Sequence, residues 1–337
     1  MNPPRTRRRI PARYVAVTVV AALAASAGIV GPAVGLDVGA KKSAARKIQA
    51  DPPPPLFSDA DTAPIAAALA AQQRVADRLI AQWQAAHGTT RDDTAFTAWA
   101  EAQIPRPPSG AEHTAELRQD QDLARHRTSA GVSAATWLEI HGKKDIWKMY
   151  AKDQGDLLPK AAASADKSRL KAAMKLAGTL TKTLAAKYAS PAPYVQDPAL
   201  RPDKKITPGQ PCPCSYPSKH AALSAAAATV LTQAAPRQAA EYRWMAAQVV
   251  YSRLYMAGHF RGDVLAGALL GDLVGDYSLL TAGLRLPTTA ATPPVATEPP
   301  PATPAPRPSP TSRTADRPAV PRTTATPTAT PAGPGHG

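Results

Sequence analysis

Cysteine, strand-like alternation and long uncharged apolar runs are what this 337-residue sequence has least of. Its two cysteines stand one residue apart, as Cys212-Pro213-Cys214. A bridge across a single residue is strained. A metal site built on them would need further ligands, and no Cys or His cluster supplies these at the usual spacing, so no metal is expected. No zinc-finger or helix-turn-helix signature occurs, and no basic run alternates with aromatics, which argues against nucleic acid as a partner. The net charge of +15 does not change this, because Arg5, Arg7, Arg8, Arg9 and Arg13 crowd the first residues and Arg307, Arg313, Arg317 and Arg322 the last. The remaining positive charge suits an anionic small molecule, a lipid headgroup, or an anionic cell-wall or membrane surface. Period-two alternation is nearly absent while alanine abounds, so the expected fold class is all-α: a single helical-bundle domain without internal repeats.

The two ends read differently from the middle. A basic stretch, a short apolar run over Val15–Ala25 and then small residues follow the pattern of a secretory signal, with cleavage sites after Ala27 or Ala40. Val15–Leu36 also spans a bilayer if Gly28, Gly31, Pro32 and Gly35 are tolerated inside it. Residues 1–40 are therefore expected to be a signal peptide or N-terminal membrane anchor, and the protein to be secreted or associated with the cell surface or cell wall. Residues 41–58, with Asp51-Pro52-Pro53-Pro54-Pro55, form a proline-rich linker, and residues 59–285 a helical domain. From 286 to 337 the chain is almost all Pro, Thr, Ala and Ser, the composition of a disordered, semi-rigid tail.

Within the domain, Ile65, Leu69, Val75, Leu79, Ile80 and Trp83 recur at helical spacing. A shorter helix around Phe96 and Trp99 stops at Pro105. A long one over Ala111–Ile140 is expected to break near Gly131. Ser164–Tyr188 follows, then a proline-rich loop and three helices over Ser218–Ala234, Pro236–Met256 and Arg261–Leu280. Trp83, Trp99, Trp137 and Trp147 are expected mainly as core. Ala266, Gly267 and Gly271 would let helices approach closely.

The chemistry concentrates in two stretches. Tyr216-Pro217-Ser218-Lys219-His220 feeds a helix N-terminus, where unpaired backbone N–H groups and the positive end of the dipole meet an approaching anion. The Ser218 hydroxyl adds a donor, and His220 is placed to protonate a departing oxygen. About thirty residues on come Ser252-Arg253, His259 and Asp263. Four residues separate the imidazole from the carboxylate, close enough for a hydrogen bond that orients the ring and leaves its other nitrogen free to attack. A turn at Gly258 would bring the planar fork of Arg253 to the same oxyanion.

These two stretches resemble the second and third signatures of the type 2 phosphatidic acid phosphatase superfamily, which includes bacterial non-specific acid phosphatases and vanadium haloperoxidases. The resemblance covers roughly residues 180–280. It implies a helical bundle of the acid phosphatase/haloperoxidase type in which His259 is the nucleophile that forms a phosphohistidine. Asp263 would be its orienting carboxylate, His220 the general acid, and Arg253 and Ser218 phosphate ligands. Lys219 replaces the glycine of the second signature and would bring an ammonium group instead. The first signature is a lysine, six residues, then Arg-Pro. Lys187 to Pro193 is its expected counterpart, with Lys187 as a phosphate ligand and Ala192 where the arginine belongs; Lys182 is another candidate, and Arg201-Pro202 lies farther along. The implied activity is a phosphatase-type hydrolase of phosphate monoesters or lipid phosphates that needs no cofactor. Two alternatives stay open: a haloperoxidase holding vanadate on His259, and a catalytically weakened, surface-associated binding protein.

Overall fold

Five of the helices described below start where a side-chain oxygen, from Ser43, Ser58, Asp92, Thr128 or Ser218, takes an orphan N–H, and two end on residues with positive φ, Gly88 and Ala189. The computed structural model describes residues 43–204 and 214–287, and these build an all-α bundle. In chain order the helices are α1 (Ala44–Ala50), α2 (Asp59–His87), α3 (Asp93–Gln103), α4 (Gly110–Arg125), α5 (Ser129–His141), α6 (Asp145–Gly155), α7 (Lys160–Tyr188), α8 (Pro193–Gln196), α9 (Lys219–Ala234), α10 (Ala239–Tyr255) and α11 (Arg261–Leu280). Ser58 and Asp61 form a reciprocal capping box for α2. Thr128 caps α5 through the N–H of Gly131.

The break expected at Gly131 falls three to five residues earlier, over His126–Thr128, and Gly131 lies inside the first turn of α5. Its missing side chain serves packing: a Cβ there would come within 2.2 Å of the Tyr255 hydroxyl oxygen. That hydroxyl accepts the Thr128 N–H at 2.7 Å. The expected linker also needs correction, since residues 44–50 are helical and Ile48 is buried in the core. The proline stretch after it is fastened too, with the Trp137 indole donating to the Asp51 carbonyl and Asp51 pairing with His141.

Helix α11 is the axis of the bundle and is buried almost all round, packed by α9, α2, α7 and α10. Gly267, Gly271 and Gly275 recur every fourth residue on the face towards α9. A Cβ on Gly267 would stand 2.3 Å from the Ser218 carbonyl oxygen, and one on Gly271 2.2 Å from that of Ala222. The two backbones touch along this seam, which fixes the start of α9 against the start of α11. The tryptophans are core: Trp83 and Trp147 are fully buried, and Trp83 packs with Phe96, Trp99 and the ring of Tyr277. Burying such side chains is worth about 1.5–3 kcal/mol each.

The expectation of an N-terminal membrane anchor is corrected. No helix among the described residues is long and apolar enough to cross a membrane. Even the axial helix α11 carries Arg261, Asp263, Asp272 and Asp276 within its 20 residues. Residues 1–42, where the signal or anchor was expected, lie outside the described residues, as does the expected tail from residue 288 onward.

Candidate active site

Three helix ends and one loop converge where α9 and α11 begin. Ser215 closes the loop before α9: its N–H donates to the Ser190 carbonyl at 2.9 Å, and its neighbour Cys214 bridges to Pro191. Tyr216 stacks edge-on against Tyr188 and donates its hydroxyl to the Pro105 carbonyl. Ser218 is wholly buried. Its backbone N–H donates to the Asp263 carbonyl at 2.9 Å, and its Oγ caps α9 by accepting the Ala221 N–H. The second and third sequence stretches are thus joined through backbone.

The imidazole of His259 is oriented differently from the expectation. Its Nδ1 lies 2.8 Å from the Ser215 carbonyl oxygen, whereas the nearest oxygen of Asp263 is 3.9 Å away. A carbonyl only accepts, so Nδ1 carries the proton and Nε2 presents a lone pair. Asp263 supports the ring indirectly: its Oδ2 accepts the Phe260 N–H at 2.9 Å and fixes the turn into α11. Burial, and then the charge of Arg253, push His259 down to about 3, so the ring is neutral at ordinary pH. Burial pushes Asp263 up to about 7, against the Ser215 and Phe260 hydrogen bonds that favour its charged form.

His220, in the first turn of α9, places Nε2 3.1 Å from the Glu139 carbonyl oxygen. Burial and the nearby charges of Arg253 and Lys143 hold it well below its ordinary range; His259 adds a smaller effect of the same sign. Arg253 reaches back from the end of α10 because the chain reverses over residues 255–258, with Ala257 in the left-handed conformation at φ 47°. Its guanidinium is 4 % exposed and holds Ser252 Oγ, the Ala135 carbonyl and, at 3.3 Å, the Glu139 carboxylate.

Two cations join this group that motif spacing did not assign. Arg201 is 5 % exposed, chelates Asp203 through two 2.9 Å bonds and stands 4.0 Å from the same Glu139 oxygen. The signal for it was present: Arg201-Pro202 follows Tyr194 at the spacing of the first signature, with tyrosine where the lysine belongs. Lys143, just past the end of α5, is held down by burial and then by the charges of Lys219 and Arg253, which puts all three in one electrostatic neighbourhood. No motif marks it.

Lys219 lies across α7, where a Cβ on Gly178 would meet its Cε at 3.5 Å. Lys187, expected as a phosphate ligand, instead stacks over the Tyr188 ring at 5.4 Å, on the outer end of α7. No contact among the described residues brings it to His259, His220 or Arg253. The backing of the first-signature segment is therefore mechanical: Tyr188 supports Tyr216, and the arginine comes from residue 201.

Beside Glu139 and Arg201 opens a cavity of about 560 Å³ with Val132, Ile140, Leu200 and Met256 on its apolar side and Lys204 on its polar side. On the other flank, behind Asp263, sit the buried carboxyls of Glu116 and Asp120. Burial, then the Asp263 and Glu116 charges, push Asp120 up to about 9.

Residues 168–282 match the PAP2 superfamily. That stretch runs from the third turn of α7 to just past the end of α11. No curated protein matches the chain.

Proposed function

We propose, from that match and from the geometry around His259, that the protein is a phosphatase that hydrolyses phosphate monoesters or lipid phosphates through a phosphohistidine intermediate. The observation that carries this reading is the His259 ring. Its proton is committed to the Ser215 carbonyl, its Nε2 is left unprotonated, and among the surrounding charges the buried Arg253 guanidinium acts most strongly on the ring. That is a nucleophile aimed beside an oxyanion donor.

Nε2 attacks phosphorus, the ester P–O bond breaks, and the phosphoryl group passes to His259. Arg253 and Arg201, with Lys143 and Lys219, balance the charge on the non-bridging oxygens; N–H groups of the first turn of α9, which Ser218 caps, add donors. His220 gives the leaving oxygen its proton. In the empty site His220 is neutral, and a bound phosphate dianion favours its charged form, so substrate and proton arrive together. His220 then takes a proton from the water that attacks phosphorus, the P–N bond breaks, and inorganic phosphate leaves. The cavity beside Arg201 suits an ester whose leaving group is partly apolar.

The test is hydrolysis of a chromogenic phosphate ester, with alkaline quenching after a labelled substrate to trap labelled enzyme. His259→Ala should abolish both turnover and an acid-labile, base-stable label. Turnover at the wild-type rate in that variant overturns the reading.

A further inference from the structure

Glu139 holds three of the groups to which the phosphatase reading gives work. Its carboxylate Oε2 is 3.3 Å from Arg253 Nη1 and 4.0 Å from Arg201 Nη1, and its backbone carbonyl lies 3.1 Å from His220 Nε2. Ala135, one helical turn earlier on α5, takes another Arg253 nitrogen through its carbonyl. The polar rim of the anion site is therefore occupied from one helix by one residue and its neighbour.

A buried guanidinium is costly without a counter-charge. Arg253 is almost fully buried, and Glu139 is the carboxylate that pairs with it. A phosphate dianion needs the same Nη atoms. Two anions facing one guanidinium at hydrogen-bond range repel strongly in a site of low dielectric. One of them has to leave, and Glu139 has somewhere to go. Its side chain is 38 % exposed and lines the cavity of about 560 Å³ that Lys204 also lines. Burial works to raise its pKa, but the charges of Arg253, Arg201 and Lys204 outweigh this and keep it ionised.

We propose that Glu139 is a built-in competitor for the phosphate site: its carboxylate neutralises Arg253 and Arg201 while the site is empty, and swings towards Lys204 when phosphate enters. This rests on the reading of Arg253 and Arg201 as phosphate donors. The exchange sets the affinity, because the observed dissociation constant is the intrinsic one divided by the fraction of molecules with the cradle open. The residue thereby screens ligands by charge. A dianion displaces the carboxylate, whereas chloride or a carboxylic acid, carrying one charge, does so poorly.

The experiment is calorimetric titration of the full chain with inorganic phosphate. Glu139→Gln keeps the shape and removes the charge, and it should tighten phosphate binding by about tenfold or more. A gain of affinity is a direction that damage to the fold does not produce. If Glu139→Gln does not fold, Glu139→Asp serves: it keeps the charge but withdraws it from Arg253, and it should tighten binding by a smaller factor. Unchanged or weaker binding in the variant that folds, with loss of binding in Arg253→Ala, overturns the competitor role and leaves the phosphate site standing. If neither wild type nor any Glu139 variant binds phosphate, the phosphate reading fails, and the inference falls with it.

Discussion

The segment that matches the PAP2 superfamily and the helices that precede it contribute to the same pocket in different currencies. Residues 168–282 supply His259, His220, Arg253, Arg201 and Lys219, the groups to which the proposed function gives work on an anion. Helices α4 and α5 and the turn after them supply Glu116, Asp120, Glu139 and Lys143, which adjust the charge around those groups. A buried reactive group needs neighbours that set its protonation and charge balance. In this protein those neighbours come from a region with no motif of its own. Chemistry and its tuning are thus carried by separate stretches of chain.

That division predicts unequal losses. Arg253→Ala, inside the matching segment, should lower kcat/KM for a chromogenic phosphate ester by about 10²–10³, the usual cost of losing one oxyanion donor. Lys143→Ala, outside it, should cost no more than roughly tenfold, because its ammonium is a looser point charge. Equal losses in the two variants would erase the distinction.

A smaller effect separates the regions by stability. Asp120 of α4 and Asp272 of α11 are pushed up by burial, to about 9 and about 8 respectively. Their protonated forms are favoured in the folded state, so each contributes most below the ordinary carboxylate pKa and loses that contribution as pH climbs to the folded value. The depressed histidines act with the opposite sign, and only below about pH 6.5. Between pH 6.5 and 9 the carboxyls therefore dominate, and the thermal midpoint should fall. One group accounts for at most about 1.4 kcal/mol per pH unit. Asp120→Asn and Asp272→Asn should each flatten the slope, and differential scanning calorimetry across that range decides it. Asp120→Asn should also alter the pH–rate profile, since Asp120 lies within electrostatic range of Asp263. Asp272, bonded to Thr229 farther along α11, should leave that profile alone.

The smallest effect concerns the end of α7, inside the matching segment. Ala189 ends α7 with φ 43° and ψ 35°, left-handed backbone that glycine adopts more readily. Ala189→Gly should raise stability by about 0.5–1 kcal/mol in urea unfolding and leave turnover unchanged.

Much of this was legible beforehand. Ser218, His220, Arg253, His259 and Asp263 are marked by spacing within single loops and helix starts, and the structure brings them together. Arg201 was legible too, at seven residues from Tyr194, but the lysine-to-tyrosine change hid the register and drew attention to Lys187. The orienting partner of His259 was misplaced. An i,i+4 carboxylate is visible in a sequence, whereas a backbone carbonyl such as that of Ser215 is not, since every residue has one.

By itself, the sequence determined that the chain is helical, roughly where each helix lies, and which few residues are the candidates for reactive chemistry. Apolar periodicity, capping and short motifs all act within a few turns of chain. Only the tertiary structure decided that Glu139 and Lys143 share the pocket with Arg253, and that Ser215 rather than Asp263 holds the His259 proton. Glu139 and Arg253 are 114 residues apart in the sequence. Their meeting depends on how α5 packs against α10, and nothing local to either residue records it.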